Sequence, residues 1–475
     1  MEENKPKLTG AIVNTYALGQ GLNTMAFTVP TLYLNMFMTD YLGISPVAMG
    51  TGMLIAKTVD FIVSIIAGIV IEKSNMKHGK YMSWIRLLTA TLFFGNIIQM
   101  LDTNAFVGNS TGRLIIVMIG YMMFHCSMNF NATARAAMIP KLAGADMEAR
   151  KKITARQGQV GAAVSIISSA TILPIVNFVT KTTGKDTLGY FIAALVFSTS
   201  FAVVNLLFCK QAAPFDPPAE AEAAKKSSPT VKQMISSVVT NKQMLILFLG
   251  FTCFTIGTQI YAGVLTYFFK ATGNFDKYTL AQTLRAICAF LASLVAPSLG
   301  KKIGKKGALV TGWFVYTAAT VLLWLGGYNK ATGSANITVV IVAMCLAQSA
   351  MYLYSVFLAN YYLDCGEYGY YATGVDNRTM AVTVMNWPTK IGFALGGSLV
   401  GYLIAWAGYE APAAAGGLPT FASMEKFMMV IGLIPGICMA IGAVIILLFY
   451  KLSDEEAAKY AKENAEREAA AKAGN

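Results

Sequence analysis

Apolar residues along this chain fall in long runs, at about 11–38, 46–71, 82–101, 114–139, 157–179 and 188–209. Six more follow at about 244–269, 279–299, 307–327, 336–362, 380–408 and 427–450. A helix of roughly 20 apolar residues crosses the hydrocarbon core of a bilayer. The pattern therefore predicts an all-α membrane protein with twelve transmembrane helices in two six-helix halves. The stretch 210-KQAAPFDPPAEAEAAKKSSPTVKQMISSVVTNKQ-243 interrupts the pattern and reads as a linker. Four parts follow: an N-terminal half at 1–209, a cytoplasmic linker at 210–243, a C-terminal half at 244–450 and a charged cytoplasmic tail at 451–475. That tail, rich in Ala, Glu and Lys, is expected to form a solvated helix.

Composition agrees with a membrane solvent. Only 13% of residues are charged and 55% are hydrophobic, against about 25% charged in soluble domains. Mean hydropathy is +0.54. A net charge of +13 suggests nucleic acid at first sight, but the cations crowd into short loops. These hold Lys73/Lys77/Lys80, Lys141/Arg150/Lys151/Lys152, Lys225/Lys226/Lys232 and Lys301/Lys302/Lys305/Lys306. Basic loops after alternate spans mark the cytoplasmic side. The expectation is a multi-pass protein of the cell inner (plasma) membrane, with both termini cytoplasmic and no nucleic-acid partner. The opening residues MEENKPKLTG are polar and the first apolar run is too long for a signal peptide. Seven cysteines stand singly, which supports neither a disulfide framework nor a metal site. No paired acids, triad, HExxH or phosphate-binding glycine loop appears, so the chain is expected not to be an enzyme and to need no cofactor.

Ionisable residues inside the spans are costly and persist where they are paired or face a cavity. Lys57 and Asp60 share one face of the second span and are expected to neutralise each other. Lys390 sits about ten residues into the eleventh span, too deep to snorkel readily, and points to a cavity role. Arg156 starts the fifth span, as either an anchor or a ligand contact. Arg135, about one turn from the end of the fourth span, reads as a gate or an anchor. Trp387 serves either to stack on a sugar face or to anchor at the interface. Gln20, Asn23, Asn129 and Asn131 are candidate linings of a wet cavity, whereas His125 reads as a packing residue. Five embedded cations (Lys57, Arg135, Arg156, Arg285 and Lys390) face one embedded acid, Asp60, a balance that favours an anionic solute.

The halves carry a faint repeat: 68-GIVIEKSNMKHGK-80 and 300-GKKIGKKG-307 both place glycine and a basic turn at a membrane exit. Two related six-helix halves are the architecture of the major facilitator superfamily. Within it, 16-YALGQ-20, 37-FMTDYLGIS-45, Asp60 with 79-GKYMSWI-85, the Arg150…Arg156 spacing and 364-DCGEYGYYATGVDNR-378 resemble the glycoside–pentoside–hexuronide:cation symporters. The helix containing Lys390 does so too, and the similarity spans nearly the whole chain.

The resemblance implies uptake of a sugar or glycoside coupled to Na⁺ or H⁺ by alternating access. It implies that Asp60 matches a cation-binding aspartate, with Lys57 a basic neighbour. Arg156 and Lys390 match the sugar site and its charge network. Asp364, Glu367 and Arg378 match the loop between the tenth and eleventh spans, which helps close the cytoplasmic side. Three positions depart from the family pattern. Ser64 stands where a second aspartate is usual, Gln20 replaces a sugar-binding acid, and 129-NFNATA-134 lacks a carboxylate. A hard cation wants several anionic or carbonyl oxygens, so one aspartate favours H⁺ as the coupling ion, with Na⁺ the alternative. Loss of the sugar-site acids favours an anionic substrate such as a hexuronide or a sulfonated sugar. A Na⁺-coupled or uncoupled neutral-glycoside transporter is the runner-up, and a lysolipid carrier ranks last. The expected partners are the small-molecule substrate, the coupling cation and the lipid bilayer, with the protein a monomer.

Overall fold

The computed structural model describes residues 6–473, apart from 75, 77, 78, 145, 218–230, 377 and 413–416. Lys77 and His78 of the first basic turn, and Lys225 and Lys226 of the linker, lie outside the described residues. The helices are α1 (Gly10–Met36), α2 (Pro46–Lys73), α3 (Lys80–Ile98), α4 (Ser110–Ala143), α5 (Met147–Thr183) and α6 (Asp186–Ala212). They continue with α7 (Val231–Thr240), α8 (Lys242–Ala271), α9 (Tyr278–Gly326), α10 (Ile337–Ser355) and α11 (Leu358–Thr373). The last are α12 (Arg378–Val384), α13 (Trp387–Trp406), α14 (Met424–Met428), α15 (Ile434–Phe449) and α16 (Asp454–Ala473). Among the described residues, nine helical stretches are long and apolar enough to cross a membrane. The protein is thus an all-α membrane protein.

The chain forms two compact units. One comprises Met1–Ser227, Phe275–Thr283 and Tyr409–Thr420; the other comprises Ser228–Asn274, Leu284–Gly408 and Phe421–Asn475. Helix starts follow local chemistry. Asn109 accepts from the Gly112 N–H at 2.6 Å, and Asp146 accepts from the N–H groups of Glu148 and Ala149. Each cap satisfies donors that the first helical turn leaves free. Two expected spans are interrupted: α10 gives way to α11 at residues 356–357, and α12 to α13 at 385–386. Pro388 in the first turn of α13 suits a helix start, because its missing N–H is one that the first turn cannot use.

The faint repeat seen in the sequence corresponds to one device built twice. In the first unit Gly79, at φ +90°, precedes α3, and Asp216 caps that helix from a distance. Its Oδ2 accepts from the N–H groups of Tyr81 at 2.6 Å and Met82 at 2.8 Å, and its Oδ1 accepts from Lys141 Nζ at 2.6 Å. Asp216 is 1% exposed, so these bonds compensate a buried carboxylate at the positive end of a helix. In the second unit Gly304, at φ +73°, folds α9 into two rods. There Asp454 Oδ2 accepts from the Lys305 N–H at 3.2 Å, and the Lys305 ammonium pairs with both Asp454 and Asp364. Asp216 follows α6 and Asp454 follows α15, each a helix apolar enough to cross a membrane.

A Cβ on Gly79 would stand 2.1 Å from the Asp216 carbonyl oxygen. Its backbone conformation is also one that few residues other than glycine adopt. Gly79→Ala is therefore expected to cost about 2 kcal/mol or more. Thermal unfolding in detergent reads this directly, and an unchanged midpoint would show that the Asp216 cap does not hold this corner.

The tail is not the solvated rod its composition suggests. Asn464 of α16 is 0% exposed, and its Nδ2 donates to the Glu367 carbonyl at 2.9 Å and to Glu367 Oε2 at 2.8 Å. Arg467 donates to the Tyr371 carbonyl at 3.0 Å, and the Tyr460 ring lies 4.6 Å from that of Tyr371. One face of an Ala-rich helix docks on α11 through a few polar and aromatic side chains among many alanines. Composition alone does not reveal such a face.

Candidate functional site

Asp60 occupies the middle of α2 and is 7% exposed. Asn129 Nδ2, from α4, donates to Asp60 Oδ1 at 2.6 Å and also lies 3.3 Å from the Asp60 carbonyl oxygen. Lys57, three residues earlier on the same helix, is half-buried and feels the charge of the Asp60 carboxylate. Ser64, one turn on, donates to the Phe61 carbonyl at 2.7 Å, so its proton is used within its own helix.

Around this carboxylate α4 contributes a polar and aromatic ladder. The carbonyl of His125 accepts from Asn129 at 3.3 Å, and the His125 ring stacks on Tyr121 at 3.8 Å and meets Phe27 edge-on at 5.4 Å. Sequence reading placed Asn129 among several cavity amides with nothing to single it out. Its signal was the absence of any acid in 129-NFNATA-134, which makes the amide the polar group that this segment offers α2.

The predicted substrate residues of the first unit differ in environment. Gln20 on α1 is half-buried. Asn23 and Asn131 are each 1% exposed; Asn23 Nδ2 donates to Met128 Sδ at 2.9 Å, and the side-chain oxygens of both lack a hydrogen-bond partner among the described residues. Arg156 stands nine residues into α5 rather than at its start, because Asp146 caps the helix early. It is exposed, and it donates to Asn14 Oδ1 at 2.9 Å and to Gln159 Oε1 at 3.3 Å.

Arg135 departs furthest from expectation. Because α4 continues to Ala143, this arginine lies eight residues, about two turns, from the helix end. It is 2% exposed. Its guanidinium donates to Asn205 Oδ1 and to the Tyr16 carbonyl, both at 2.5 Å. The rings of Tyr16 and Phe208 lie 4.7 and 5.3 Å from its Cζ. Asn205 passes the connection on by donating to Thr89 Oγ1 at 2.6 Å. Arg135 is thus an internal strut joining α1, α4, α6 and α3.

In the second unit Lys390 is half-buried at the fourth position of α13, not ten residues into a continuous span, because the helix restarts at Trp387. Trp387 is 8% exposed. Asp364 and Glu367 lie on α11 rather than in a loop, and Arg378 begins α12. Glu367 pairs with Arg378 at 3.4 Å, and Arg378 pairs with Asp376 at 2.7 Å and Glu468 at 2.5 Å. Hydrogen bonding to the Asp376 carboxylate raises the Arg378 pKa above its ordinary value, and the guanidinium in turn lowers that of Asp376.

A separate cavity of about 980 Å³ in the first unit is lined by Leu8, Val13, Lys141, Lys152 and Phe215 among others. None of the candidate residues lines it. What the first unit presents at mid-helix is an enclosed carboxylate, Asp60, held by the Asn129 amide.

A family profile described as "MFS/sugar transport protein" matches residues 15–454. An isoprimeverose transporter of Lactiplantibacillus pentosus is 26% identical over 468 residues, covering 95% of this chain and 92% of the relative. A glucuronide carrier protein homolog of Escherichia coli (strain K12) is 23% identical over 447 residues, covering 93% and 92%. Among solved structures, that of a D-xylose-proton symporter aligns with TM-score 0.63 at 14% identity, over 93% of this chain and 98% of that one.

Proposed function

The chain belongs to the MFS/sugar transport protein family, among relatives of the glycoside–pentoside–hexuronide:cation type, and from that premise we propose that it is a symporter importing an anionic sugar with H⁺. It is a transporter and not an enzyme. The observation that carries the coupling reading is Asp60, enclosed in α2 and held by Asn129, while Ser64 turns to its own backbone. A single carboxylate can bind and release one proton. It offers a hard metal ion few of the oxygens such an ion requires. Arg156 and Lys390 are the cations assigned to the substrate's acid group, and the similarity to a glucuronide carrier homolog supports an acidic sugar. The termini are assigned to the cytoplasmic side of an inner membrane on the basic loops.

This reading has an electrical signature. A monoanion entering with one proton moves no net charge, whereas a neutral sugar entering with one proton does. Each charge crossing 100 mV gains or loses about 2.3 kcal/mol, so the two cases separate clearly. Uptake of labelled glucuronide into proteoliposomes under a pH gradient alone is expected to reach about tenfold accumulation per pH unit. An imposed potential at equal pH should drive none. Accumulation with a Na⁺ gradient alone would overturn the proton reading. Potential-driven uptake of a neutral glycoside would overturn the anionic one.

A further inference from the structure

Helix α7 lies outside the symport reading, and it presents an apolar surface that the protein only half covers. At 100° per residue its apolar side chains form one continuous arc, with Met234 and Val238 at about 300–340° and Val231, Ile235 and Val239 at about 0–80°. The bundle covers the first edge of this arc. Met234 is 5% exposed and Val238 and Ser237 are each 6%, where α7 packs on α8 and α12. The other edge is open, with Val231 37%, Ile235 51% and Val239 61% exposed. Lys232, Ser236 and Thr240, all exposed, take up the arc beyond it at about 100–180°. The helix thus meets three surroundings: protein on one side, water on another, and an apolar medium between them.

Its position identifies that medium. Helix α8 is a membrane span beginning at Lys242, so its first turn lies at one bilayer surface. A single residue, Asn241, separates it from α7. Asn241 Oδ1 accepts from the Met244 N–H at 3.1 Å and its Nδ2 donates to the Cys365 carbonyl at 2.6 Å, which fixes this corner against α11. Helix α7 is therefore held at headgroup level and cannot swing into the aqueous phase. We propose that α7 is an interfacial helix whose partner is the lipid bilayer surface. Val231, Ile235 and Val239 enter the acyl boundary, while Lys232 and Lys242 meet lipid phosphates. Amphipathic helices with basic flanks bind membrane surfaces in this way.

The test uses full-length protein in liposomes containing phosphatidylcholine brominated near the headgroup end of its acyl chains. Ile235→Trp and Val239→Trp each add one indole on the open stripe, and Ser236→Trp adds one on the water side. With the wild-type emission subtracted, bromine is expected to quench the first two at least about twofold more than the third. Quenching at 235 and 239 no greater than at 236 would overturn the proposal, including the case in which a second copy covers and shields the stripe. Two independent stripe positions keep the result readable if one variant folds poorly.

Discussion

Replacing Asp60 with asparagine is expected to abolish concentrative uptake while leaving downhill flux. The substitution keeps the shape of the side chain and an oxygen able to accept from Asn129 Nδ2, so the α2–α4 contact at 2.6 Å can persist. It removes the side chain's ability to bind and release a proton. With coupling lost, accumulation at a one-unit pH gradient should fall from about tenfold to none, a loss of about 1.4 kcal/mol of driving force. Counterflow exchange, which needs no net proton movement, should continue. Asp60→Asn protein that still concentrates substrate under a pH gradient would remove Asp60 from the coupling step. Loss of both uptake and counterflow would instead indicate that the carboxylate supports the site's structure.

The largest effect on stability is expected at Arg135. Arg135→Ala leaves Asn205 Oδ1 without its donor and takes away the second donor of the Tyr16 carbonyl, in surroundings where Arg135 itself is only 2% exposed. An unsatisfied buried group costs about 1–3 kcal/mol, and the emptied space beneath Tyr16 and Phe208 adds to it. Removal of a buried cation returns part of that cost, because its desolvation penalty disappears. The net loss should be about 3 kcal/mol, lowering the midpoint by roughly 6–12 °C. Arg135→Lys should not restore it, since one ammonium cannot make both hydrogen bonds while lying flat between two rings. Buried Cys209 beside Phe208 provides the readout, through its exposure to a thiol-reactive dye during heating. A midpoint within about 1 °C of wild type would exclude the strut.

Much of the candidate site was visible as residue types and little of it as pairings. Asp60 stood out because an acid in the middle of an apolar run is rare and costly. Its partner did not, because Asn129 lies 69 residues away and whether the two meet depends on the rotational phase of α2 against α4. Arg135 looked peripheral because hydropathy places span ends poorly, and α4 runs on past the apolar run into basic residues that local caps still allow.

From the sequence alone came the solvent of this protein, the long apolar helices and the family resemblance. All of these are written in runs of neighbouring residues, where burial of each helix's own backbone polar groups leaves an apolar segment no other option in lipid. The tertiary structure alone decided which amide holds Asp60, that Arg135 braces four helices, and that α16 lies on α11. It also decided that the apolar arc of α7 is covered on one edge and bare on the other. Each of these depends on which faces of separate helices meet, and helices of similar apolarity leave that choice to a few polar side chains and close contacts far apart in the chain.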